Sequence, residues 1–287
     1  MAIAQFTLWG AQCQWLIARC VLDSSLLVPY FSQGKILFKG SSSVSCLTTL
    51  LAGTPMRICG RITKNGMKRA KDEGQGAHFL LYEHGEIRNV DSCLEQTLQA
   101  MGPGDLFVTG ANALDAFGHA ALLIGSSGGG GYGACMPFLY TEGIRTLILT
   151  SVMKFIPGDL SLLNAQIIRK KCDFSYGMAC SLVPIPGEVL TETQAIELYA
   201  HVNAQVFAKG GFSGAEASVA IQIEGEREEV EKVLHLVEQI KSLPSQPPVD
   251  ADSLTECAYP CSGCSQHRSC AYANKQTIFH SIKMSRS

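Results

Sequence analysis

Apolar residues along this chain fall into short continuous runs closed by glycine, proline or small polar residues. Such runs occur at Lys35–Phe38, Asp105–Gly110, Ala120–Ile124 and Thr146–Val152. A strand that is apolar at every position is covered on both faces, as in a mostly parallel sheet. Helical stretches separate the runs. KGSSSVSCLTTLLAG, from Lys39, reads as a polar turn opening an apolar helix; Ser92–Met101 and residues 134–143 also read as helices. Between the first two runs, HFLLYEHGEIRNV from His78 reads as a strand pair. Alternating strands and helices predict an α/β domain with a doubly covered sheet.

The pattern changes near Cys180. CSLVPIP, Ala204–Ala208 and Ala217–Ile223 read as strands, and Thr191–Ala200 as a helix capped by Thr191. Glu226–Lys241 carries an apolar stripe at Val230, Val233, Leu234, Val237 and Ile240, with acids at its start and Lys241 at its end. This order predicts a small ferredoxin-like α+β subdomain over residues 180–243. It follows a mainly helical segment (1–33) and an α/β core (34–179). SLPSQPPVDADS marks a linker at about residues 244–256. The remainder, 257–287, is a cysteine-rich tail.

Composition narrows the classes. The chain has 287 residues, 46% hydrophobic and 17% charged, which implies a large core and room for a homo-oligomer interface. A net charge of −2 gives no general attraction to nucleic acid or anionic lipid. The longest uncharged stretch, from Ala116, contains seven glycines and no membrane-spanning apolar run. Twelve cysteines with no export signal point to a reducing cytoplasm. Eight of them (Cys13, Cys20, Cys46, Cys59, Cys93, Cys135, Cys172, Cys180) are scattered and read as buried thiols.

Gly128, Gly130 and Gly133 fit G-x-G-x-x-G between a strand and a helix. The next strand ends TLILTSVMK without the acid that a dinucleotide site uses for ribose, so the motif alone does not specify that cofactor. The longer segment VTGANALDAFGHAALLIGSSGGGGYG, followed by TLILTSVMK, resembles the core of type A ribose-5-phosphate isomerases. KGSSSV (Lys39–Val44) resembles that family's phosphate loop. The resemblance covers roughly residues 35–241 and extends to coenzyme A transferases, which share the scaffold. It implies an isomerase/transferase-like fold with a ligand held by Lys39, Gly40, Ser41, Ser42, Ser43, Asn112, Gly128, Gly129, Gly130 and Gly131. The isomerase acids are missing: Asn112 and Ala113 stand where the family has its acidic pair, and Gly125 and Ser126 stand at its lysine. Asp115, Lys154 and Cys135 remain as candidate catalytic groups.

Three further features bear on chemistry. Arg61–Lys71 is basic but lacks interleaved aromatics and reads as a solvated face. His78, His84 and His119 read as surface or core histidines. The tail carries Cys257, Cys261, Cys264 and Cys270 in a C-x3-C-x2-C-x5-C spacing. Four thiolates this close suit either zinc, with His267 as an alternative ligand, or a [4Fe-4S] cluster. Together these features predict a binding protein or sensor for a phosphorylated or coenzyme A-like small molecule. Its tail would carry a metal or cluster that reports redox state or docks a redox partner. The alternative is an enzyme with altered catalytic residues on the same scaffold.

Overall fold

The computed structural model describes residues 1–70, 74–257 and Cys270. The chain begins with β1 (Ala2–Leu8), α1 (Gly10–Asp23) and the short α2 (Val28–Ser32). Next come β2 (Lys35–Lys39), α3 (Ser42–Ala52), the hairpin β3 (Gly60–Thr63) and β4 (Gly66–Arg69), then β5 (Phe79–Glu83), β6 (Glu86–Asn89) and α4 (Leu94–Gln99). The middle holds β7 (Leu106–Thr109), β8 (Ala113–Leu114), β9 (Ala120–Ile124), α5 (Gly130–Thr141), β10 (Arg145–Leu149) and α6 (Leu160–Gln166). The last part holds β11 (Ser181–Ile185), β12 (Glu188–Leu190), α7 (Glu192–Tyr199), β13 (Val202–Gly210), β14 (Ser218–Gly225) and α8 (Arg227–Lys241).

The fold is α/β. Its main sheet has the order β12-β10-β7-β2-β5-β6, with the first four strands mutually parallel, β5 antiparallel to β2, and β6 antiparallel to β5. Alternating side chains of the central strands enter opposite cores. Ile36, Phe38, Leu106, Val108, Leu147 and Leu149 pack with α1, α3, α7 and α8, whereas Leu37, Phe107 and Ile148 pack with α4 and α5. Both faces are therefore covered, which explains why these strands are apolar throughout.

Three antiparallel pieces complete the fold: the β3–β4 hairpin, the sheet β11-β9-β8 and the sheet β1-β14-β13. The last differs from the sequence expectation. Residues 1–33 are not mainly helical at their start, because Ala2–Leu8 is a strand paired along its length with β14. Its alternation places Phe6 and Leu8 inward and Gln5 and Thr7 outward. The strand at Ser181–Ile185 pairs with β9 rather than joining β13 and β14. In α8 the buried stripe is Val230, Val233, Leu236, Val237 and Ile240, with Leu236 in place of the expected Leu234. No helix among the described residues is long and apolar enough to cross a membrane.

Candidate functional site

Three parallel strands deliver their carboxyl ends to one place. β2 ends at Lys39, and the chain turns at Gly40 into α3. There Gly40 donates its N–H to the His78 carbonyl at 2.8 Å. A Cβ at Gly40 would lie 2.0 Å from the Arg57 carbonyl oxygen, so the crossing requires glycine. Ser41 caps α3, its hydroxyl accepting from the Val44 N–H at 3.3 Å. β7 runs into Gly110–Asn112, and β10 runs through a turn in which the Ser151 hydroxyl accepts from Met153, reaching Lys154. Opposite these ends, Gly128, Gly129 and Gly130 take φ of 67°, 86° and 56°, a run that only glycine adopts without strain. The turn leads directly into α5.

These segments enclose a cavity of about 990 Å³. Lys39, Gly40, Ser41, Ser42 and Asn112 line it, as do Gly129, Gly130 and Gly131. Gly128 and Ser43 do not line it; Ser43 is buried behind the loop, with no hydrogen-bond partner for its hydroxyl among the described residues. Apolar walls come from Leu122, Ile124, Met153 and Met178. The cavity thus offers apolar surface together with a few converging polar groups, the usual make-up of a small-molecule site.

Its charge is positive. Lys154 lines the cavity, and its ammonium donates to the Ala111 carbonyl at 2.6 Å. Burial pushes the lysine down to about 8, against the opposing pull of the Glu192 charge. Arg57, Arg61 and Arg69 also border the cavity. The basic segment is therefore not simply a solvated face: Lys68 is buried, and the Arg61 guanidinium donates to the carbonyls of Ser253 and Leu254. The preceding linker also closes on this region, with Pro247 and Val249 on the cavity wall.

The other two candidate catalytic groups lie off the cavity. Asp115 is a buried hub that accepts from the N–H groups of Phe117, His119 and Leu160, and its carboxylate lies 2.9 Å from His119 Nδ1. Burial raises its pKa, but these hydrogen bonds, led by that from Leu160, outweigh it and hold the carboxyl below its usual range. Asp115, His119 and Asp159 present ligand atoms within 4.8 Å of one another. Both carboxylates are already engaged, because Asp159 caps α6 through Ser161. Cys135 sits on the core side of α5, its thiol donating to the Gly131 carbonyl, and burial pushes its pKa up to about 12.

In the cysteine tail, Cys261 and Cys264 lie outside the described residues, as does His267. Cys257 donates its N–H to the Arg69 carbonyl at 3.1 Å, and Cys270 bridges to Ser175. Two residues beyond Ser175, Gly177 bridges to Met67. Both described cysteines of the tail thus lie near the β3–β4 hairpin, whose Met67 and Arg69 border the cavity.

One pair was not visible in the sequence. Cys59, expected to be buried, is exposed, and its Sγ lies 3.4 Å from His78 Nδ1. Both residues line the cavity. Desolvation by the surrounding cavity walls opposes the thiolate of Cys59, although its surface is open, but the His78 contact and the Lys39 charge outweigh it and lower its pKa. The contact with Cys59 raises His78 against its own desolvation. Cys59 and His78 are 19 residues apart, and no spacing motif links them. They meet because Arg57 bonds backbone to backbone with Ala77, as Gly40 does with His78.

No family model matches the chain, and no match is found among curated proteins or solved structures.

Proposed function

We propose that this protein binds a phosphorylated or coenzyme A-type small molecule in the cavity at the carboxyl ends of the parallel strands. The observation that carries the reading is the convergence of the Lys39–Ser42 loop, the glycine turn and Lys154 on one cavity of about 990 Å³. Backbone N–H groups of such loops, with nearby cations, attract phosphate oxygens. We assign the chain to a ribose-5-phosphate isomerase/coenzyme A transferase-like scaffold on the resemblance of its loop sequences; the mostly parallel sheet, with those loops at its carboxyl ends, supports the assignment. Among the described residues, the cavity lacks the free carboxylate that an aldose–ketose isomerase needs. Among the described residues that line it, Asp91 is the one acid, and both its oxygens accept from the N–H groups of His78 and Phe79. The volume also favours a coenzyme-sized ligand over a bare sugar phosphate.

Calorimetric titration of the full chain with coenzyme A and with ribose 5-phosphate tests this. Saturable binding of coenzyme A that weakens in Lys39→Ala and Lys154→Gln supports the reading; no binding of either probe overturns it.

The tail is proposed to hold a [4Fe-4S] cluster or zinc through Cys257, Cys261, Cys264 and Cys270 and to act as the redox-reporting or docking element. Support for a link to the ligand is the anchoring of Cys257 on Arg69. The enzyme reading is kept as a second one because one observation favours it: the Cys59–His78 pair on the cavity wall.

A further inference from the structure

Among the described residues that line the cavity there are two thiols, Cys59 and Cys180. They differ in surroundings. Cys180 is buried, its thiol directed at the Met178 carbonyl, and burial pushes its pKa up to about 11. Cys59 is open to the cavity and has an imidazole at 3.4 Å. Among the described residues, the charges acting on the pair are Lys39 and Arg57 on the positive side and Asp91 on the negative side. A thiolate needs a base or a cation beside it to be nucleophilic at neutral pH, and here both are present.

The pair itself is held in place by backbone. His78 is fixed on both sides, its N–H donated to Asp91 at 2.9 Å and its carbonyl accepting from Gly40. Cys59 accepts at its carbonyl from the Ala70 N–H at 3.0 Å. His78 therefore touches the phosphate-type loop at Gly40 through its backbone and the thiol through its ring. An anion anchored at Lys39–Ser42 would share one cavity with Cys59 and with the apolar walls of Leu122, Ile124, Met153 and Met178.

We propose that Cys59 is a covalent nucleophile, with His78 as its proton carrier, that takes the acyl group from a thioester of the coenzyme A class. This rests on the reading of the cavity as a coenzyme A-type site. In the step, the Cys59 thiolate attacks the thioester carbonyl carbon. A C–S bond to Cys59 forms and the C–S bond to the coenzyme breaks. The departing thiolate takes the proton of the His78 imidazolium. The products are S-acyl-Cys59, free coenzyme thiol and neutral His78, so charge and atoms balance with no outside oxidant or reductant. Thiol-for-thiol exchange suits the site, because a thiolate both attacks and leaves, His78 protonates the departing one, and no carboxylate base is required.

The test uses the full chain with acetyl-coenzyme A as probe. Peptide mass spectrometry locates acetyl groups, and calorimetry on the same samples measures binding. The expected result is acetylation of Cys59, absent in Cys59→Ser, with the rate in His78→Gln reduced about 100-fold at neutral pH. Melting curves confirm that the variants are folded, and site-resolved alkylation by iodoacetamide gives a second readout. In the wild type, Cys59 should react at lower pH than an ordinary thiol, and His78→Gln should move its profile upward. Binding of acetyl-coenzyme A without acetylation of Cys59 overturns the nucleophile and leaves the binding reading standing. Absence of binding overturns both. Acetylation of Cys59 at an unchanged rate in His78→Gln overturns the assigned role of the histidine.

Discussion

The ammonium of Lys154 donates to the carbonyl of Ala111 at 2.6 Å, tying together the segments that follow two neighbouring parallel strands. The lysine is thereby aimed along the cavity wall at a fixed point rather than moving freely in solvent. Its pKa of about 8 makes its charge adjustable near neutrality. Affinity for an anionic ligand should fall as pH rises through about 8, because the ammonium then loses its proton. Lys154→Gln should remove this alkaline limb as well as weaken binding. The effect on stability has the opposite sense. Between about 8 and the ordinary value of 10.5 the folded chain has released a proton that the unfolded chain retains, so this group adds stability as pH rises across that window. Titrations at several pH values, paired with denaturant melts of wild type and Lys154→Gln, check both signs.

Gly40→Ala should destabilise the protein by about 1–3 kcal/mol, because the added carbon must displace the Arg57 backbone. The same displacement moves the loop that carries Lys39 and Ser41, so coenzyme A binding should weaken beyond what the stability loss explains. Urea denaturation and calorimetry on one preparation separate the two effects. Wild-type affinity in a destabilised Gly40→Ala would show that this loop does not hold the ligand.

Asp115 is expected to be structural. Asp115→Ala leaves three backbone N–H groups without their acceptor and should cost about 1.5–3 kcal/mol, while ligand affinity stays near wild type at temperatures where the variant is folded. Its carboxyl is held below the ordinary 3.8, so its contribution is fully present above that value and is lost as pH falls through the folded pKa. Wild type should therefore lose stability more steeply as pH falls below 3.8 than Asp115→Asn, whose curve lacks this contribution and starts lower. Loss of binding in a folded Asp115→Asn would return this residue to the candidate catalytic groups.

Cys264→Ser should remove the metal without changing the melting of the core. Protein purified without oxygen should contain either iron and acid-labile sulfide at about four of each per chain, or one zinc and no visible absorption. A Cys264→Ser variant that keeps full metal content would show that the tail thiols are not the ligands.

The parallel sheet was readable because its strands are covered on both faces. Ile36–Phe38, Leu106–Val108 and Leu147–Leu149 are apolar at every position, and the helices that cover them carry the matching stripes. α7 was readable from its Thr191 cap and α8 from its periodic stripe. β1 was harder: AIAQFTL has the alternation of a strand, but it runs straight into the apolar α1, so the two blend into one helical reading. Glycines and serines marked the loops of the cavity, since backbone sterics leave a local trace. The Cys59–His78 pair left none. Its two members lie on separate segments joined by backbone pairing of Arg57 with Ala77, and no local rule of spacing encodes that contact. The same holds for Arg61, whose partners lie 192 and 193 residues away.

β1 finds its partner at the far end of the chain: Gln5 faces Gln222, 217 residues later, and their side chains bond across the pair at 2.8 Å. During synthesis at about 5–20 residues per second, the first strand therefore waits roughly 10–45 s before β14 exists. The large sheet can assemble in that interval, with α1 docked on α3. The small sheet closes last, as a clasp between the earliest and latest parts of the fold, and a stalled or shortened ribosomal product would expose the unpaired edge of β1.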